Sequence, residues 1–219
     1  MTYLQLVNAV LLELNEVVIT SVASTRGIQS AVKDLINKAQ KDIINSEVEW
    51  PFTYSSNTIT TSSGTGEYSL QTDLKTLNED AVILNPGGTK PLKLLKFLSY
   101  DEYNQSYLAL NSDPGDDHLA EPERFYLTPD LKLGLYPEPN ATYTINYEYY
   151  ATHSDLSANT DTPIIPERFH DVIVNRAKYY AYVLRSDLQS AQLTERDYKE
   201  GLARMRVELI NRKDYFRAV

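Results

Sequence analysis

The stretch LKLGLYPEPNATYTINYEYYATHSDL, residues 131–156, decides how the chain is read. Side chains of a strand alternate between its two faces. Leu131, Leu133 and Leu135 therefore share one face of a first strand. Tyr143, Ile145, Tyr147 and Tyr149 share one face of a second, with Lys132, Thr144, Asn146 and Glu148 on the opposite side. The proline-asparagine break between them reads as the turn of a hairpin. Pairing the two apolar faces puts most of these tyrosines in a β core. Tyr136 and Tyr150 fall out of phase, which makes them candidates for contacts with other proteins.

The period-2 pattern extends on both sides of this stretch. Thr, Tyr, Ser and Ile alternate through TYSSNTITT (53–61), and Ser63-Gly64-Thr65-Gly66 reads as a hairpin turn before EYSL (67–70). DAVIL (80–84) and PLKLLKFL (91–98) flank the turn signal Asn85-Pro86-Gly87-Gly88. ERFYL (123–127) and LKLGLY (131–136) are split by Thr128-Pro129-Asp130. Six to eight short, mainly antiparallel strands are expected over 51–160, with a short helix and a long loop in the polar excursion 99–123.

Outside this zone the period becomes helical. Leu4, Val7, Leu11, Leu14 and Val18 form one stripe, and Ile28, Val32, Leu35, Ile36, Ala39 and Ile43 a second. The second helix is expected to start near Ser24 or Thr25 and to end before Trp50-Pro51. A third stripe runs Phe169, Val172, Ile173, Ala177, Tyr180, Ala181 and Leu184, with Pro166 suited to its first turn. Ser186-Asp187-Leu188-Gln189 fits a capping box before a last helix. Ala191, Tyr198, Leu202, Met205 and Leu209 give that helix a heptad-like seam for lengthwise packing. The expected fold is α+β: a four-helix bundle from the N- and C-terminal helix pairs (1–50 and 161–219), carrying an inserted, mainly antiparallel β domain (51–160).

Composition is that of an ordinary globular chain, 42% hydrophobic and 23% charged, and 219 residues suffice for a full core. No cysteine is present, so disulfides and thiolate metal sites are excluded. The first residues lack a basic region and carry Glu13 and Glu16 within the apolar run, a poor secretory signal. No run is long enough for a membrane span. The net charge of −9 is concentrated in the middle zone, where 6 basic residues face 15 acidic ones. Such a segment repels nucleic-acid phosphates.

Catalytic equipment is sparse. His118, His153 and His170 show no metal-ligand spacing. His153-Ser154-Asp155 contains triad residue types, but adjacency in the chain does not give triad geometry, and Ser154 and Asp155 better suit a turn. Asp113-Pro114-Gly115-Asp116-Asp117 lacks the EF-hand pattern and reads as a solvated turn. The Gly64/Gly66 segment lacks the lysine of a phosphate loop. No catalytic, cofactor-binding or metal-ligating residues are therefore assigned.

The order of short motifs carries a resemblance. Leu14-Asn15-Glu16 closes a first helix, and Glu49-Trp50-Pro51-Phe52 follows a second. Then come Tyr68-Ser69-Leu70, PERFYL (122–127), LGLYPEP (133–139), a Tyr-rich returning strand, Leu156-Ser157, and PIIPERF (163–169) opening a helical C-terminus. In this order the chain resembles the head-to-tail adaptor, or tail tubular protein A, of tailed bacteriophages. The resemblance implies a non-enzymatic virion protein of the neck, assembled in the host cytoplasm as a ring, usually of twelve copies. Its helical part would dock on the portal protein and its β part would face the tail nozzle or other tail proteins. Double-stranded DNA would pass through the lumen without sequence-specific binding; no cofactor and no membrane are implied.

On that reading Tyr136 and Tyr150 are subunit or tail contacts. Arg212, Lys213, Tyr215, Phe216 and Arg217 are the candidates for portal docking, because aromatic side chains at a chain end lack another evident burial site. One rival is a carbohydrate- or receptor-binding β module of a phage tail, which requires the tyrosines in an exposed groove. A second is a hydrolase, which requires two carboxylates converging in a deep pocket.

Overall fold

A computed structural model describes residues 1–111 and 118–210. The fold is α+β. It divides into two compact units, Met1–Thr53 with Thr152–Val219, and Tyr54–Ala151. The second boundary lies before residue 160 because Leu156 is buried in the helical core. There Asn37 takes the Leu156 amide at 2.9 Å and donates to its carbonyl at 3.0 Å.

The helical unit contains α1 (Tyr3–Glu13), α2 (Ile28–Asn45), α5 (His170–Leu184) and α6 (Leu188–Leu209). Helix α5 packs against α1, α2 and α6, and α1 against α2. Their apolar stripes meet in one core that includes Leu6, Val10, Ile36, Ile43, Trp50, Phe169, Val172, Ile173, Ala177 and Met205. Each fully buried large side chain contributes roughly 1.5–3 kcal/mol. Trp50 is wholly enclosed; its indole N–H donates to the Ile43 carbonyl at 2.8 Å, and its ring stacks on Phe52. Thr194 fills the gap in the α6 seam between Ala191 and Tyr198, its hydroxyl donating back to the Ser190 carbonyl.

Helix ends differ from expectation in ways that backbone geometry explains. Helix α1 stops at Glu13, because Asn15 takes a left-handed conformation (φ 55°). The amides of Asn15 and Glu16 return to the carbonyls of Leu12 and Leu11, closing a Schellman motif. Val18, assigned above to the helical stripe, lies past this stop and is exposed. Helix α2 begins at Ile28 after Gly27, with no hydroxyl cap from Ser24 or Thr25. Pro166 is extended and precedes the 3-10 turn Glu167–Phe169 that leads into α5. That helix also ends in a Schellman motif, with Ser186 at φ 60° and the amides of Ser186 and Asp187 bonded to Val183 and Tyr182. Ser186 is thereby spent on the stop, and Asp187 caps α6 instead, accepting the Ser190 amide at 3.1 Å.

The β unit holds two sheets. In the first, β1 (Tyr54–Thr60) pairs with β9 (Thr144–Ala151). The other side of β9 is shared by β4 (Ile83–Asn85) and β3 (Leu74–Leu77), and β5 (Lys93–Leu94) pairs with β4. The second sheet orders β2 (Glu67–Ser69), β8 (Lys132–Tyr136), β7 (Arg124–Leu127) and β6 (Lys96–Phe97). All pairs are antiparallel except β6 with β7. Leu133, Leu135 and Phe125 from one sheet and Leu84, Ile145, Tyr147 and Tyr149 from the other share a single core.

Two expected hairpins are therefore absent. Strands β8 and β9 lie in different sheets, and so do β1 and β2. Leu133 and Leu135 do share one apolar layer with residues 143–149, but across the space between two sheets and not within a pair; Leu131, expected on the same face, sits at φ 60° before β8 and is exposed. Two-stranded ribbon β1/β9 continues into β2/β8 around a corner. Gly64 donates to the Pro139 carbonyl and Thr61 to the Tyr143 carbonyl, both at 2.9 Å. More residues lie on the proline side of this corner than on the glycine side, so the chain switches sheets by a bulge-like bend. The β7–β8 hairpin at Thr128-Pro129-Asp130 forms as expected, with the Lys132 amide donating to the Thr128 hydroxyl at 3.0 Å.

Candidate assembly surfaces

In the helical unit the two Schellman ends are clasped together. Arg185 donates to the Leu14 carbonyl at 2.9 Å and pairs with Glu16. Lys178 pairs with Glu13 at 3.1 Å, and the Tyr182 hydroxyl reaches the Glu13 carbonyl. Exposed apolar side chains flank the clasp: Leu12, Val17 and Val18 on one side, Val183, Leu184 and Leu188 on the other. Val17 is 75% and Leu188 66% exposed. Both Val18 and Leu184 depart from the expected core stripes: Val18 lies past the stop of α1, and Leu184, the last residue of α5, is on the helix but exposed. The sequence signal for this surface is the apolar run Val17-Val18-Ile19 beyond Leu14-Asn15-Glu16.

A second polar group ties α2, α5 and α6. Arg176 Nε donates to Asp42 at 2.8 Å, and the Tyr180 hydroxyl donates to the same carboxylate. The Arg176 guanidinium lies over the rings of Tyr180, Tyr198 and Tyr179 at 4.6, 4.8 and 5.1 Å. Lys38 adds a cation over Tyr180 at 3.9 Å. Burial first, then the bond to Asp42, push the Tyr180 hydroxyl up to about 12. A stacked, paired arginine constrains how these helices rotate against one another.

The histidines lie apart. His170 is buried; its Nε2 is 2.9 Å from the Ile165 carbonyl, and the Met1 ammonium is 2.8 Å from Nδ1. An ammonium only donates, so Nδ1 accepts, Nε2 carries the proton and the ring is neutral. Burial lowers its pKa. A cavity of about 460 Å³ opens beside it, lined by a single carboxylate, Glu167. His118 Nε2 is 3.5 Å from Glu138. Asp155 pairs with Lys41 at 2.7 Å and does not orient His153. The turn leaving β9 is held by Asp161, which accepts the amides of Ser157 and Ala158 at 2.8 and 2.7 Å. Among the described residues no three metal-ligating side chains converge, and no helix is long and apolar enough to cross a membrane.

In the β unit the tyrosines mostly face inward. Tyr143, Tyr147 and Tyr149 belong to the core between the sheets. Tyr126 points to the other side of its sheet, where Leu98 and Tyr103 cover it, with Tyr100, Tyr107 and Tyr136 at the margin. The covering segment is α3 (Tyr100–Glu102), a π turn at Tyr103–Tyr107 and α4 (Leu108–Asn111). Tyr103 stacks on Tyr126 at 3.9 Å. Tyr136 is half-buried against Tyr107, at 4.6 Å. Tyr150 is half-buried and edge-on to exposed Tyr54 at 6.3 Å. A hydrogen bond to Glu148 is the main cause that raises the Tyr54 pKa. The aspartates of the 113–117 cluster lie outside the described residues, as do Arg212, Lys213, Tyr215, Phe216 and Arg217.

No curated protein matches the chain. The family described as SU10 adaptor protein matches residues 1–218. A match over essentially the whole chain includes both units, the helical one with its clasped ends and the two-sheet one. The chain therefore belongs to the SU10 adaptor protein family, and its role is that of a structural adaptor of the bacteriophage virion neck.

Proposed function

We propose that this adaptor forms a ring, of about twelve copies as the head-to-tail adaptor resemblance implies, that joins the portal to the tail. The helix pairs α1/α2 and α5/α6 act as one bundle that makes the subunit contacts and docks on the portal. The β unit faces the tail nozzle or neighbouring tail proteins. A cyclic ring needs a head-to-tail contact between different patches of successive copies. The exposed apolar side chains around the Arg185 clasp are the observation that carries this reading, since a lone subunit gains nothing by leaving them in water. The terminal residues Arg212, Lys213, Tyr215, Phe216 and Arg217 add portal contacts, and Tyr136 and Tyr150 lie on the tail side. The acidic middle zone repels the phosphate backbone and lets DNA slide through the lumen without being held.

Native mass of the full chain, alone and with a portal ring, tests the proposal. The expected result is a ring-sized species, or a monomer converted to a ring on portal addition. Leu184→Glu together with Leu188→Glu should leave a folded monomer that no longer assembles. A chain that stays monomeric beside the portal would sink the ring. Deletion of 211–219 should weaken portal binding; unchanged binding removes the docking role of that segment.

A further inference from the structure

Strand β1 is an edge strand of a kind that folded proteins usually avoid. A sheet edge carries a row of unpaired amides and carbonyls, and native edges are blunted by shortness, charge, proline or a bulge. The other strands at the sheet margins follow that rule. β5 and β6 have two residues each and carry Lys93 and Lys96; β2 has three and carries Glu67; β3 carries Lys75 and a register shift. β1 has seven residues, Tyr54–Thr60, in unbroken register with β9. No charged residue or proline occurs from Phe52 to Gly66.

The direction of its free groups follows from the ladder. Thr61 donates to the Tyr143 carbonyl, so residues 55, 57 and 59 bond β9 in turn. On β9, Glu148 turns its carbonyl the other way, to the Asn78 amide. Tyr54, Ser56, Thr58 and Thr60 therefore point their amides and carbonyls away from β9, along the open edge. Among the described residues only the Thr58 amide is met there, by the Asn57 side chain at 2.7 Å. The side chains of these same four residues are exposed.

We infer that β1 accepts an extended, uncharged strand of a different polypeptide along residues 54–60, extending the first sheet by β-augmentation. A strand is the one ligand whose donors and acceptors repeat at this spacing. The choice of a different polypeptide rests on the ring reading above. In a cyclic ring β1 cannot meet β1 of the next copy, because that contact needs a two-fold axis. The remaining edges of a neighbouring copy, among the described residues, are shorter and charged. A tail-side protein is then the source of the strand.

Hydrogen exchange on the full chain in three states tests this: free, in a ring with the portal alone, and in whole necks purified from particles. The amides of Tyr54, Ser56 and Thr60 should exchange fast in the first two and at least a hundredfold slower in the third. Fast exchange in whole necks overturns the proposal. Protection in the portal-only ring, or in a free two-fold dimer, overturns it too, by assigning the strand to a second copy. Ser56→Pro removes an outward donor at a position an edge strand tolerates. It should fold and form the portal ring but fail to retain tail proteins, while Ser56→Ala retains them. Equal tail retention by both variants overturns the proposal. Failure of the wild-type chain to form the portal ring refutes the adaptor-ring reading instead, whatever β1 does.

Discussion

Tyr126 fills the space above Gly134, its direct partner on the neighbouring strand. A Cβ at residue 134 would lie 2.1 Å from the Tyr126 ring. That glycine is required by a close approach and not by a left-handed backbone. It lets the Tyr126 ring lie back over β8, where Tyr103 stacks on it.

Gly134→Ala should therefore destabilise the β unit by about 1–3 kcal/mol, the usual range for overpacking a closed site. Urea unfolding checks this. Tyr126→Leu alone should also destabilise, but the double variant should lose less than the two losses added, since the smaller side chain makes room for the methyl. Additive losses would show that the clash is relieved elsewhere.

Arg176 is held by one carboxylate and three rings, with its side chain only 20% exposed. Arg176→Ala should cost about 2–3 kcal/mol, below the cost of breaking a fully buried pair because water reaches part of the site. Arg176→Lys should recover less than half of that, because an ammonium keeps the charge but not the planar stacking. Thermal or urea unfolding of the two variants separates charge from shape.

The tyrosine hydroxyls set an alkaline limit. Tyr180 is pushed up to about 12, and so is Tyr3, chiefly by burial and then by Asp34. A folded pKa above the unfolded value near 10 favours the protonated form in the native state. This stabilisation is full below pH ~10 and is lost as pH rises toward about 12. The urea midpoint should fall across that window, and Tyr3→Phe with Tyr180→Phe should flatten the fall. An unchanged slope in the double variant would refute the assignment.

His170 acts at the other end of the scale. Its pKa is lowered by burial, so the neutral ring is the native form. The contribution is complete above the unfolded value near 6.5 and is lost as pH falls below it. His170→Gln, which keeps a donor toward the Ile165 carbonyl, should weaken the dependence of the unfolding midpoint on pH between 7 and 5. A slope equal to that of the parent chain would place the acid sensitivity elsewhere.

Ser186 adopts φ 60° at the stop of α5. Glycine takes this conformation without the Cβ penalty, so Ser186→Gly should raise stability by about 0.5–1 kcal/mol. Ser186→Val should lower it by more than that, because a β-branched residue resists positive φ. Melting temperatures of the two variants should move in opposite directions.

Residue phase was legible in the sequence. The alternation of Leu133, Leu135, Ile145, Tyr147 and Tyr149 identified a buried layer, and the spacings of Val32, Ile36, Ala39, Val172, Ile173, Ala177, Tyr198, Leu202 and Met205 identified the helix faces that are buried. Those patterns are local, because period 2 and period 3.6 are properties of the backbone itself. The order of short motifs also carried the family, which the match over residues 1–218 shows. Strand partnership was not legible. The glycine-rich 62–66 segment and the proline-rich 137–140 segment look like hairpin turns on their own, yet they run beside each other and carry one ribbon from sheet to sheet. Likewise, the left-handed Asn15 ends α1 before Val18 and leaves that residue in water, and Leu184 is exposed although it continues the α5 stripe. Which faces are apolar followed from the chain alone, since neighbours in sequence suffice for that. Which strand meets which, and which apolar residues remain uncovered, followed only from the folded chain, because strand partners such as Tyr54 and Tyr150 lie nearly a hundred residues apart.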